Sequence, residues 1–367
     1  MYQIYGEKCC GQHQPGCLTS ELCFSWKLEG DGYEVTQDGY RIVIYAMNLE
    51  PVWDSGVVKD RNVHNVPVSG FQPDPITDYM WKVISISSRG EVAESGFHIF
   101  STGILNNDWH AEWIEPLLER KPGSDITDII RIFTGQIPCQ DQPEDRLNPA
   151  VYFRRQFQTE KKVKSAKVFI TAHGVYQLYI NGHVYGKPLA PGFTAYQEYL
   201  EYQCYSVTES LLDGENTIGV IVADGWYLGK IGLMGIGNQY GDNPALLFQI
   251  VLDYEDGTRK IIGSDADVRV SYGAYIYGDL FVGERYDSRL EPAGWTNSGF
   301  DASKWNHVET KDYGFAHLRG SADEPAAFVR IKKPESMFYA PNGDLIVNAG
   351  ENISGVISIR GDRKSVV

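Results

Sequence analysis

The chain has 367 residues, with 33 Lys and Arg against 48 Asp and Glu, a formal net charge of -15. Nucleic-acid and anionic-membrane surfaces need clustered cations, so this balance argues against either partner. Hydrophobic residues make up 43% and charged residues 22%, which permits real cores and speaks against wholesale disorder.

The opening MYQIYGEKCC has no basic region followed by an apolar core, so it does not read as a signal peptide, and a cytoplasmic location is expected. No apolar run approaches the ~20 residues of a membrane span. Cys9, Cys10, Cys17 and Cys23 cluster early, with His13 among them, in a spacing that fits no common zinc finger. Free thiols in a reducing compartment are the expectation, with no metal or other cofactor required. The chain also carries 23 Tyr, 15 Phe, 8 Trp and 38 Gly. Aromatic residues favour strands and glycines favour tight turns. Aromatic faces with polar tips also suit sugar recognition.

In chain order, Tyr40–Ala46 and Tyr79–Ser87 alternate as strands, and Phe97–Ser101 makes a third. A β-sandwich over residues 1–105 follows, with Trp26, Trp53 and Trp81 as its core and edge aromatics. Residues 106–149, rich in Pro, Asp and Gln, read as a linker holding short strands. A second all-β unit spans 150–322. Its strands are Lys167–Ala172, Tyr176–Ile180, His183–Tyr185, Thr217–Ala223, Ala245–Tyr254 and Arg259–Ile262. Asn181-Gly182 between two of them predicts a type I′ hairpin, because both central positions need positive φ. Residues 325–360 read as the truncated start of a third β domain, with strands at Leu345–Asn348 and Val356–Ile359. Such a piece is too short to bury its own core. Residues 361–367 are expected to be a non-native tail, since Asp362–Val367 reads like a translated sequencing-library adapter. The triplet Arg360-Gly361-Asp362 straddles that junction, which sets aside an adhesion reading. Helical periodicity over four turns is absent. The expected fold class is all-β, as tandem sandwiches.

The order of short motifs then becomes informative. FSWKL (Phe24–Leu28), VWDSGVV (Val52–Val58), DYMWKV (Asp78–Val83) and FSTGIL (Phe100–Leu105) precede Trp109–Ile114. YFRRQF (Tyr152–Phe157), AHGVYQLYINGHVYG (Ala172–Gly186), LAPGFTAY (Leu189–Tyr196), ADGWYLG (Ala223–Gly229), GERYDSRLEPAGW (Gly283–Trp295) and AGENISGVISI (Ala349–Ile359) follow. This colinear series resembles the N-terminal portion of bacterial α-L-rhamnosidases of glycoside hydrolase family 78. The resemblance implies a fibronectin type III-like sandwich, then a jelly-roll-like domain related to carbohydrate-binding modules. In the family a further β-sandwich and a helical barrel come next, and the barrel holds the catalytic acid and base of an inverting hydrolysis. That barrel is missing here, so no catalytic residue carries over and this chain is predicted inactive. The implied partners are rhamnose-containing glycosides or polysaccharides and the missing catalytic domain.

Two groups of residues remain as candidate sugar ligands. In Asp224-Gly225-Trp226-Tyr227 the rings of Trp226 and Tyr227 suit a sugar face, and Asp224 would accept hydroxyl hydrogen bonds. Glu284 and Asp287 are the nearest carboxylate pair, set close to Arg285 and Arg289. Inverting hydrolysis needs two carboxyl groups about 6.5–9.5 Å apart with room for a water. An ion-paired turn is the simpler expectation for this pair. Some relatives bind rhamnose with calcium, which needs six or more oxygen ligands. Asp242, Asn243, Glu284 and Asp287 are the oxygens on offer, but Ala195 stands where the family often has Asp. His173 is expected at a half-buried strand end and His183 in solvent. A stand-alone rhamnose-binding module is the rival reading.

Overall fold

Alternation of apolar and polar residues builds both sandwiches, and its clearest instance is Asp78–Ser87. There Tyr79, Trp81, Val83, Ser85 and Ser87 turn inward while their neighbours are half-exposed. The structure, a computed structural model, describes residues 2–19, 21–30, 35–121, 130–131, 133–136, 147–232, 235–322 and 326–358. Residues 1–325 form one compact unit and residues 326–367 a second. The expected tail at 361–367 and Cys139 lie outside the described residues, as do 122–129 and 137–146 of the expected linker.

Eight strands make the first sandwich: β1 (Gln3–Cys9), β2 (Cys23–Glu29), β3 (Gln37–Ala46), β4 (Pro51–Asp54), β5 (Val66–Pro67), β6 (Asp78–Ser87), β7 (Val92–Glu94) and β8 (His98–Ser101). One sheet runs β1-β2-β5 and the other β4-β3-β6-β7, with β8 also on β6. Phe24 stacks on Trp81 at 4.0 Å between ring centroids, and both are fully buried. Trp26 is buried beside Tyr40, and Trp53 packs half-buried against the same core.

The second sandwich is one curled twelve-stranded ladder. Its strands are β9 (Trp113–Pro116), β10 (Val151–Thr159), β11 (Val163–His173), β12 (Val175–Ile180), β13 (His183–Tyr185), β14 (Leu200–Ser206), β15 (Gly214–Ala223), β16 (Ala245–Tyr254), β17 (Arg259–Gly263), β18 (Arg269–Tyr272), β21 (Asn306–Lys311) and β22 (Leu318–Gly320). Two more, β19 (Tyr275–Asp279) and β20 (Gly283–Tyr286), pair only with each other. The curl closes at β21, which pairs with β18 through Arg269↔His307 and with β9 through Thr310↔Ile114. Strand β16 is buried along nearly its whole length because sheet partners flank both edges and core covers its face. The Asn181-Gly182 turn has φ of 47° and 82° and joins β12 to β13 as a two-residue hairpin.

Strand β9 lies within 106–149, where short strands are expected, and pairs with β16 and β21. All four of its residues are buried, and it belongs to the second sandwich rather than to a tether. A four-residue strand buried on both faces has no alternation to betray it.

The two sandwiches share a packed seam. Tyr202 of β14 accepts a 2.8 Å hydrogen bond from the Ile104 amide, and its ring meets Trp109 edge-on. The Cys17 thiol donates to the Tyr202 carbonyl, and Lys167 of β11 pairs with Asp78 of β6. Gly103 makes the approach possible: a Cβ there would sit 2.3 Å from the Tyr202 hydroxyl and 2.9 Å from the Cys17 carbonyl oxygen.

The second unit is a hairpin of β23 (Ser336–Tyr339) on β24 (Leu345–Asn348). Val356–Ile357 form no strand, and the partner of β24 precedes it in sequence. All eight strand residues are exposed, as a two-stranded ribbon alone must leave them.

The seam makes a direct prediction. Gly103→Ala forces a methyl group into the Tyr202 hydroxyl and should cost about 1–3 kcal/mol. Thermal unfolding measures it, and an unchanged melting temperature would contradict the packing described.

Candidate functional site

Strand β15 ends in Ala223, and Asp224 opens the short helical turn Gly225–Leu228. Gly225 has φ of 55°, and a Cβ on it would lie 2.9 Å from the Val175 amide nitrogen. That tight exit turns Asp224 inward. Its carboxylate accepts a 2.8 Å hydrogen bond from Arg120, and the two side chains are 11% and 8% exposed. Burial pushes the Asp224 carboxyl up, with Arg120 opposing and Asp279 adding to the rise. Nε and Nη1 of Arg120 are buried without a hydrogen-bond partner among the described residues. Asp279 is likewise structural: it accepts from the amides of Lys230, Phe281 and Val282 and so anchors the β19–β20 hairpin.

Behind this turn lies a run of aromatic rings. His173, at the end of β11, sits between Trp113 at 4.6 Å and Tyr227 at 4.3 Å, with Tyr313 edge-on at 4.7 Å. The imidazole is 5% exposed, deeper than the half-buried position expected, and Nδ1 has no partner. Burial, helped by His317, pulls its pKa down to about 3, so the ring is neutral near pH 7. Glu115 is buried below Tyr313, accepting from its hydroxyl and from Asn243 at 3.3 Å.

The run reaches the surface through Tyr196, Tyr240, Phe193 and Trp226. Phe193 stacks on Trp226 at 5.8 Å with 20° between planes, and Phe193 is 56% exposed. Tyr196 links inward to Tyr227 and outward to Tyr240. A flat exposed pair of rings can stack on the apolar face of a sugar.

The structure thus divides the candidate residues. Trp226 stands half-buried on the aromatic rim, and Tyr227 belongs mainly to the stack beneath it. Asp224 is largely buried, and its carboxylate pairs with Arg120 in the interior. Glu284 is exposed on β20. Asp287 accepts 2.8 Å and 3.1 Å hydrogen bonds from the side chain and amide of Arg289, which hold its carboxyl down to about 2. Asp287 thus sits in an ion-paired turn. Among the described residues no group of three or more His, Cys, Asp or Glu is arranged to hold a metal ion. Asp242, Glu284 and Asp287 are in no such group, and the Asn243 amide nitrogen donates to Glu115. Cys9, Cys10, Cys17, Cys23 and Cys204 form no disulfide, and His183 is exposed. Phe193, Tyr196 and Tyr240 lie outside the Asp224–Tyr227 motif, although Phe193 and Tyr196 sit in LAPGFTAY. Arg120 had no sequence signal at all.

The buried imidazole sets a pH dependence. An unfolded His titrates near 6.5 and the folded His173 near 3, so between these values the unfolded state binds more protons. The stabilising share of a neutral His173 is complete above about pH 6.5 and falls as pH drops, by up to about 1.4 kcal/mol per unit. His317, also held down by burial, acts in the same direction. His173→Phe keeps the stack and should flatten denaturant-measured stability between pH 6.5 and 5. An unchanged slope would contradict a buried neutral imidazole.

Comparison with known proteins comes last. Residues 161–330 match the family described as "Alpha-L-rhamnosidase N-terminal domain", and residues 7–106 match "Rha78A-like, N-terminal immunoglobulin domain". The first sandwich is thus described as immunoglobulin where a fibronectin type III-like one was expected; both are two-sheet sandwiches. An α-L-rhamnosidase of Streptomyces avermitilis is 36% identical over 225 residues, which cover 59% of this chain and 22% of that protein. One from Formosa agariphila is 28% identical over 93% of this chain and 37% of its own length. The crystal structure of the native α-L-rhamnosidase from Aspergillus terreus superposes with a TM-score of 0.83 at 27% identity, covering 96% of this chain and 39% of that one. The S. avermitilis enzyme in complex with L-rhamnose shares the fold at 22% identity and a TM-score of 0.82. The chain spans well under half the length of the curated relatives it matches.

Proposed function

We propose that this chain, which belongs to the α-L-rhamnosidases of glycoside hydrolase family 78 and carries their N-terminal portion, braces a catalytic domain and contributes no catalytic group itself. One observation carries the reading. Similarity runs along 93% of the chain yet occupies only 37% of the relative, at its N-terminal domains. The carboxylates of this portion support the same view. Asp224, Asp279, Glu115 and Asp287 are each held by a structural partner. The whole enzyme would hydrolyse terminal α-L-rhamnosides with inversion, and its acid and base would lie in the domain being braced. The reading includes a cytoplasmic location, supported by five described cysteines that form no disulfide.

A second reading, a rhamnose-binding module, is favoured by the exposed Phe193 ring stacked on half-buried Trp226. Calcium would enter only with that reading.

Two assays separate these. The chain alone, given a chromogenic α-L-rhamnoside, should release no aglycone above the buffer rate; turnover that copurifies with the chain would overturn the brace. Calorimetric titration with millimolar rhamnose, with and without calcium, should give no saturable heat. Saturable heat abolished by Trp226→Ala would transfer the function to the binding module.

A further inference from the structure

The connection from β1 to β2 has a cysteine at each side of its base. Cys9 ends β1, and Cys10-Gly11 forms a two-residue turn closed by hydrogen bonds between Cys9 and Gln12. Both central residues have positive φ, 48° and 82°. Asn-Gly is the ordinary choice for such a turn, and Cys at its first position is a strained one.

Register then sets Cys10 against Cys23. Cys9 lies opposite Phe24 in the β1–β2 ladder, and the Cys10 amide donates to the Cys23 carbonyl at 2.8 Å. Antiparallel residues joined in this way have Cα atoms about 5.5 Å apart. Disulfides span Cα distances of about 4.4–6.8 Å. The two thiols also hydrogen-bond each other. Both side chains are half-exposed, so a small oxidant can reach them, whereas Cys9 is fully buried. Burial, with Cys10 beside it, pushes the Cys23 thiol up to about 11. A thiol so weakly acidic leaves a disulfide slowly, which suits a lasting bond rather than a shuttling one.

The segment between these cysteines carries much of the seam. Gln12 donates to the Ser321 carbonyl at 3.1 Å, and the Cys17 thiol donates to the Tyr202 carbonyl. The Thr19 hydroxyl accepts from the Gly320 amide at 3.0 Å. All three contacts run from the β1–β2 connection to the second sandwich. On the other side, Leu18 exchanges main-chain hydrogen bonds with Ser101 and Gly103. A covalent bond across the base of this loop restricts the segment that fastens one sandwich to the other, and it takes that freedom from the unfolded chain as well.

We propose that Cys10 and Cys23 are a disulfide-forming dithiol, oxidised by a low-molecular-weight disulfide such as glutathione disulfide, and that the bond staples the seam. One cysteine, as thiolate, attacks glutathione disulfide, forming a mixed disulfide and releasing one glutathione. The other, as thiolate, attacks the mixed disulfide and releases the second. Two thiols of the chain are oxidised to one disulfide, glutathione disulfide is reduced to two thiols, and the two thiol protons pass to the released glutathione. The use of the staple to a catalytic domain rests on the bracing function proposed above; the bond itself does not.

The test incubates the reduced whole chain with excess glutathione disulfide at pH 8, alkylates it and maps the peptides by mass spectrometry. Peptides joined through Cys10 and Cys23 are expected, with a melting temperature several degrees above the reduced parent and returned to it by dithiothreitol. Cys23→Ser changes one half-exposed atom, so it should melt close to the reduced parent and gain nothing from the oxidant. Cys10 then keeps glutathione as a mixed disulfide, and Cys10→Ser gives the mirror result. Alkylation of both cysteines after oxidation, or a bond through Cys9 or Cys17 instead, would overturn the dithiol. A Cys10–Cys23 bond that leaves the melting temperature unchanged would overturn the staple. These outcomes are independent of the hydrolysis and rhamnose assays above.

Discussion

Contact between Tyr202 and the Gly103–Ile104 backbone holds the rest of the arrangement together. It joins strand β14 of the second sandwich to the segment just past the last strand of the first, and it closes only because residue 103 has no side chain. Trp109, Phe169, Leu200 and Leu318 complete an apolar layer around it. Two sandwiches linked by a bare tether would move as beads. Sharing a core and the Lys167–Asp78 ion pair, they make one body, which is what a supporting element needs.

The same economy governs the polar residues. In an active site, carboxylates are held apart from partners so that they can exchange protons. Here they end strands and fasten turns. Asp224 fixes Arg120 at the exit of β15, Asp279 collects three amides at the exit of β19, and Asp287 ties Arg289 across a turn. The aromatic residues behave alike: the stack Trp113–His173–Tyr227 is a core that reaches the surface only at Phe193 and Trp226.

Much of the fold was legible because the strands obey local rules. Asn181-Gly182 forced a hairpin with His183 opposite Ile180, and the runs at 79–87 and 245–254 became β6 and β16 with boundaries nearly as read. What sequence could not supply was set by distant pairing. Strand β9 is too short to show a period, and it is a strand because β16 and β21 accept it. Val356–Ile357 carry strand-forming residues but form no strand, and β24 pairs instead with Ser336–Tyr339. At the site, Trp226 was visible as an aromatic beside Gly225. The inward turn of Asp224 was not, because its partner Arg120 lies 104 residues away in a stretch that reads as linker.

A brace gives support only if its parts yield together. Scanning calorimetry of the chain tests this most directly. The account predicts one cooperative transition for the two sandwiches, with calorimetric and van't Hoff enthalpies in agreement. Two resolved transitions, with the first sandwich melting on its own, would contradict it.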